Sequence, residues 1–132
     1  MLLIAENWNR ISYRILGCCL CVHRSLGPGL LESVYEDSVA REMTRQGLSY
    51  QRQLPVPVEY DGEVVGDPLR VDFLVEDAVV LEIKAVEKFH AVHTAQVLTY
   101  LKLIKRPLGL LVNFNTALLR EGIRRLILEK SR

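Results

Sequence analysis

Two neighbouring apolar runs, each interrupted by an acid, limit this chain more than any other feature. Residues 70–75 read Arg70, Val71, Asp72, Phe73, Leu74 and Val75; residues 78–84 read Ala78, Val79, Val80, Leu81, Glu82, Ile83 and Lys84. Such β-branched density predicts two strands that otherwise read as buried. An unpartnered carboxylate inside a buried strand is costly. Glu82 and Lys84 stand two apart, so they project from one face. Asp72 joins them only if the connecting turn has an odd length. With Glu76, Asp77 and Ala78 in the loop, Asp72 opposes Glu82; a loop of Glu76 and Asp77 alone would oppose Asp72 to Leu81 and split the group. The pattern therefore predicts a three-residue or bulged hairpin.

Two acids and a lysine so placed have a chemistry. Oxygen ligands from Asp72 and Glu82 suit a hard divalent cation, Mg²⁺ or Mn²⁺. Such a cation polarises a phosphodiester and acidifies water. Lys84 would orient or deprotonate that water, or stabilise charge on the phosphate. The competing reading is a solvated strand face on which Lys84 pairs with the acids as a salt-bridge network and no metal binds.

The rest of the chain supplies the frame. At 132 residues it reads as one domain with a single core, 49% apolar and 25% charged. A net charge of +1 excludes a polycation, so any nucleic-acid contact must come from a local patch. Residues 8–24 carry a helical apolar stripe from Trp8 to Val22, and Gly27, Pro28 and Gly29 break it. A second helix is predicted over 30–46, ended by Gly47. Residues 50–60 alternate as a strand, held to a sheet edge by Pro55 and Pro57. Asp61 and Gly62 turn it into a short return at 63–65, and the two acid-bearing strands follow over 69–75 and 78–85. A helix over 88–105, a buried strand over 108–114 and a tail over 122–129, read as a strand over 123–128 in preference to a last helix, complete the order α-α-β-β-β-β-α-β-β. That order predicts an α/β (α+β) fold with a mixed central sheet flanked by helices.

Other residues belong with the acids or compete with them. Gln96 and Tyr100 are four apart on the helix after Lys84, where they can hydrogen-bond a phosphate or a catalytic carboxylate. Glu32 opens the second helix, where it complements the dipole or supplies a third carboxylate to the metal. Cys18, Cys19 and Cys21 do not converge on a helix, so they read as free thiols of a reducing compartment. His90 and His93 read as helix surface, with phosphate or metal contact as the alternative. Lys102, Lys105, Arg106, Arg120, Arg124 and Arg125 are candidates for a phosphate-binding groove against a default of solvated charge.

Five ordered blocks of this sequence resemble the GxxExxY protein family. They are Gly29-x-x-Glu32-x-x-Tyr35 with its flanks, residues 70–75, residues 81–88, residues 96–102, and residues 109–114 with 122–125. That family looks like a compact branch of the PD-(D/E)XK nuclease superfamily. The resemblance implies a restriction-endonuclease-like core, with Asp72, Glu82 and Lys84 as the metal and catalytic positions. It matches Glu32 to the acid of the first core helix, and Gln96 and Tyr100 to the Q-x-x-x-Y motif of RecB-type exonucleases. Val71 stands where the superfamily often has a proline. The expected function is Mg²⁺-dependent hydrolysis of phosphodiester bonds, in DNA rather than RNA. The alternative is a catalytically silent domain that binds nucleic acid or protein. A protein partner or self-association would supply the substrate grip that a near-neutral chain lacks. A leading apolar run too short for a signal peptide, and no stretch of membrane-span length, predict a cytoplasmic protein.

Overall fold

The computed structural model describes the backbone of residues 2–128 and the side chains of residues 7–128. Two helices lead, α1 (Leu2–Leu26) and α2 (Glu32–Arg45), followed by strands β1 (Tyr50–Val56), β2 (Glu59–Tyr60), β3 (Glu63–Val64), β4 (Leu69–Val75) and β5 (Val79–Lys84). Helix α3 (Ala91–Ile104), strand β6 (Leu108–Asn113), a 3-10 turn (Leu119–Gly122) and strand β7 (Ile123–Ile127) complete the fold. Five strands form one sheet in the order β1-β4-β5-β6-β7, and β2 and β3 form a separate hairpin. β5 and β6 run parallel, joined through α3; the other neighbours are antiparallel. The sheet is mixed and covered by helices on both sides, as the element order predicts.

Each face has its own core. Ile15, Cys19, Tyr35, Val39 and Met43 of α1 and α2 pack on Phe73, Val75, Leu81, Ile83, Leu110 and Val112. Val97, Tyr100 and Leu101 of α3 pack on Val56, Val71, Leu74, Val80 and Leu111. Both flanks of β5 are covered, which is why its sequence is apolar throughout except at Glu82 and Lys84.

The α1–α2 turn is built by the residues that flagged it. Gly27 and Gly29 take φ of +67° and +99°, a region open to glycine at little cost. The Tyr35 hydroxyl donates to Gly27 O and accepts from Leu30 N–H, while its ring stacks on Phe114 at 4.7 Å. α2 ends in a Schellman arrangement: Gly47 N–H donates to Thr44 O and Leu48 N–H to Met43 O.

Three boundaries depart from expectation by three residues or more, and one element is new. α1 begins at Leu2 rather than near Trp8. The strand expected over 50–60 stops at Val56, because Pro57 has no N–H to continue a ladder, and Glu59 and Tyr60 pair with Val64 and Glu63 instead. α3 begins at Ala91 rather than 88, since His90 is its N-cap; the His90 N–H donates to His93 Nδ1 at 3.1 Å. The 3-10 turn before β7 was not expected. Glu129, just past the predicted last strand, lies outside the described residues.

Candidate active site

The hairpin between β4 and β5 has the odd loop that the acids require. Val75 pairs with Val79, Leu74 with Val80 and Phe73 with Leu81, leaving Glu76, Asp77 and Ala78 as the connection. Glu76 and Asp77 are both left-handed, with φ of 53° and 52°. Each non-glycine residue there costs about 1–2 kcal/mol, and the surroundings hold both in place. Glu76 accepts from Ser49 N–H and the Ser49 hydroxyl, and its own N–H donates to Ser49 O. These bonds from Ser49 hold the Glu76 carboxyl below its usual range. Arg106 donates to Asp77 O at 2.9 Å and to Asp77 Oδ1 at 2.8 Å.

By count, Asp72 next faces Glu82, but the ladder stops one pair short at Phe73 and Leu81. The two carboxylates take over. Asp72 N–H donates to Glu82 Oε1 at 2.8 Å, and Ile83 N–H donates to Asp72 Oδ2 at 2.8 Å. This corrects the simpler expectation that opposition alone would put both acids on one face. The acids meet because β4 and β5 part, and each side chain bonds the opposite strand's backbone.

The parting has a visible cause in β1. Arg52 pairs with Phe73 and Leu54 with Val71, so Gln53 stands across from Asp72 with φ of +52°. On one side of this point Tyr50, Phe73 and Val75 pack under α1 and α2. On the other side Leu54, Val56, Leu69 and Val71 pack with α3. The β1–β4 ribbon thus rolls over at Gln53 and Asp72, and the roll turns Asp72 toward β5.

The surroundings load this point with negative charge. Glu82 is 3% exposed and Asp72 half-buried. Burial is the main cause raising both carboxyls above their usual range. Glu36 and Glu32 raise Asp72 further, and Asp72 and Glu32 raise Glu82; the backbone N–H donors and Lys84 pull both back down. Tyr100, 3% exposed, is pushed up to about 12 by burial, then by the charges of Glu82 and Asp72, with Gln96 opposing. The hydroxyl therefore stays protonated and able to donate.

The structure sorts the sequence-predicted residues. Asp72, Glu82 and Lys84 lie together at the parted strands, and Tyr100 with Gln96 faces them from α3. Glu32 stands exposed in the first turn of α2, near enough for its charge to act on both acids. Among the described residues, no three His, Cys, Asp or Glu side chains converge as a ready-made metal cluster. The donor set still fits a hard cation. The charge of Asp72 raises the buried Glu82, and Glu82 Oε2 makes no hydrogen bond among the described residues.

The ion-pair reading fails on geometry. The ion pairs among the described residues are Arg45–Glu42, Arg52–Glu36, Arg52–Asp37 and Arg106–Asp77; Lys84 joins none. Three of the six candidate basic residues have partners within the fold, while Lys102, Lys105 and Arg120 stand exposed. Arg106 clamps the hairpin turn, Arg124 lies 5.2 Å over the Phe89 ring, and Arg125 bonds Ser12 and Asn9 of α1. Cys18 and Cys19 are buried free thiols, Cys21 an exposed one. His93 is close enough to Lys84 that, after burial, the lysine's charge depresses its pKa.

Two polar residues at the site escape sequence reasoning. Gln53 donates to Glu36 Oε1 and Oε2 at 3.1 Å and to Asp72 Oδ1 at 3.3 Å. Glu36 also accepts from Arg52 at 2.8 Å. Neither carries a local signal, since both depend on how β1 registers on β4 and how α2 lies beside it.

The family model of the PD-(D/E)XK nuclease superfamily matches residues 9–126. No curated protein and no solved structure gives a significant match.

Proposed function

Because the chain belongs to the PD-(D/E)XK nuclease superfamily, we propose that it is a Mg²⁺- or Mn²⁺-dependent nuclease of the GxxExxY type, one domain acting on DNA. The observation that carries this reading is the meeting of Asp72 and Glu82 across parted strands, with Lys84 on the same strand as Glu82 and paired with no acid among the described residues. Asp72 and Glu82 would hold the cation, and Glu32, whose charge reaches both from α2, would add a third carboxylate. The bound cation supplies charge neutralisation at the phosphate and acidifies the attacking water.

The chain's own groups do the rest. Lys84 places an ammonium where negative charge develops on the phosphate. Tyr100 keeps its proton and donates from the α3 side, and Gln96 orients it from one turn earlier. The low overall charge of +1 leaves grip on the substrate to a partner or a second copy.

The test is cleavage of plasmid and single-stranded DNA in Mg²⁺ or Mn²⁺, beside Lys84→Ala and Asp72→Ala. Cleavage lost in both variants supports the assignment. Cleavage that survives both overturns it, and metal binding without cleavage turns the reading to a silent binding module.

A further inference from the structure

We propose that Gln53 is the positioning residue for Asp72, an inference that rests on the metal-site reading above. Three observations meet at this side chain. Its backbone is left-handed inside a strand, with φ of +52°. A glutamine gains nothing locally from that conformation, so the fold imposes it. The position lies across from Asp72, at the point where the ribbon changes face. Its carboxamide nitrogen lies 3.1 Å from both Glu36 oxygens and 3.3 Å from Asp72 Oδ1.

The chemistry follows from the neighbours. Two carboxylates flank the amide, so only its NH₂ end can serve both, one hydrogen to each. Glu36 is in turn fixed by Arg52, whose guanidinium lies 5.8 Å over the Phe73 ring and also holds Asp37 at 2.7 Å. Arg52, Glu36 and Gln53 thus form a chain that ends on Asp72. With Ile83 N–H on Oδ2 and Gln53 on Oδ1, both oxygens of Asp72 are oriented by donors that carry no net charge. Such outer contacts fix a carboxylate's rotamer for a cation, and losing one costs about 10–100-fold in metal affinity.

The experiment separates the amide from the backbone. Gln53→Gly removes the side chain and suits the left-handed backbone. Gln53→Ala removes it and strains the backbone. Mn²⁺ binding is measured by calorimetry on the full chain and melting temperature on the metal-free protein, with Asp72→Asn as the control. The expected result is Mn²⁺ affinity lowered about 10-fold or more in both variants, with the glycine variant melting no lower than the parent. Parent-like affinity in Gln53→Gly overturns the role of Gln53 and leaves the metal site standing. Affinity lost only in Gln53→Ala, together with melting temperature, also overturns it, because backbone fit alone then explains the effect. If the parent itself binds no Mn²⁺, the metal-site reading fails and this inference with it.

Discussion

Asp72 and Glu82 each cap the other's strand where the ladder stops: Glu82 Oε1 takes the Asp72 N–H, and Asp72 Oδ2 takes the Ile83 N–H, each at 2.8 Å. The strands part where the acids sit, and the acids bridge the parting. The arrangement satisfies the backbone while holding two carboxyl groups together, where burial raises both and the charge of Asp72 raises Glu82 further. Glu82→Gln removes one of those carboxyl groups and keeps an oxygen acceptor for Asp72 N–H. The expected outcome is a metal-free protein at least as stable as the parent, with Mn²⁺-dependent cleavage reduced about 100-fold or more. Paired melting curves and cleavage rates check it, and a variant both active and less stable would contradict it.

The same pair sets a pH dependence. Both carboxyls have folded-state pKa values raised above the unfolded value near 4. Between the unfolded and folded values the native state binds more protons than the unfolded chain. Stability from this pair is therefore present below about pH 4 and is lost as pH rises through about 6 for Asp72 and about 8 for Glu82. Metal-free protein should melt lower at about pH 8 than at about pH 5, and Mn²⁺ should raise melting at the higher pH far more than at the lower. Calorimetric scans at the two values, with and without Mn²⁺, test this. Glu82→Gln should flatten the slope.

Tyr100 offers a test of the α3 side. The residue is buried and its hydroxyl stays protonated, its pKa pushed up to about 12 by burial and by the two acids. Tyr100→Phe keeps the ring in the core formed with Val97 and Leu101 and removes only the donor. Cleavage should fall about 10-fold or more with melting changed by only a few degrees. An unchanged rate would assign Tyr100 to packing alone.

The sequence made some of this legible and hid the rest for physical reasons. Periodicity and the glycine–proline turn gave both leading helices, and Pro55 correctly marked β1 as an edge. Grouping the acids required an odd β4–β5 loop, and the three-residue connection after Val75 meets that requirement, because a one-residue slip moves every side chain to the other face. The roll at Gln53 was invisible, since a left-handed glutamine has no sequence signature and depends on contacts with Glu36 and Asp72 made only in the fold. The scattering of Arg106, Arg124 and Arg125 was hidden for the same reason: each is captured by a different neighbour distant in sequence.

Two glycines give opposite predictions and test the packing behind Lys84. A Cβ on Gly122 would lie 2.2 Å from Asn113 O and 3.2 Å from Thr116 Cγ2. Asn113 cannot yield easily. Its Oδ1 accepts from Val86 N–H at 3.0 Å and its Nδ2 donates to Val86 O at 2.8 Å, fixing the chain just past Lys84. Gly122→Ala should therefore destabilise by roughly 3 kcal/mol and lower melting by about 10 °C. Gly17, exposed in α1, has nothing within 4 Å of the point that a Cβ would occupy. Gly17→Ala should instead stabilise by about 0.5–1 kcal/mol, through helix propensity. Melting curves of the two variants distinguish a glycine required by close backbone approach from one that the helix merely tolerates.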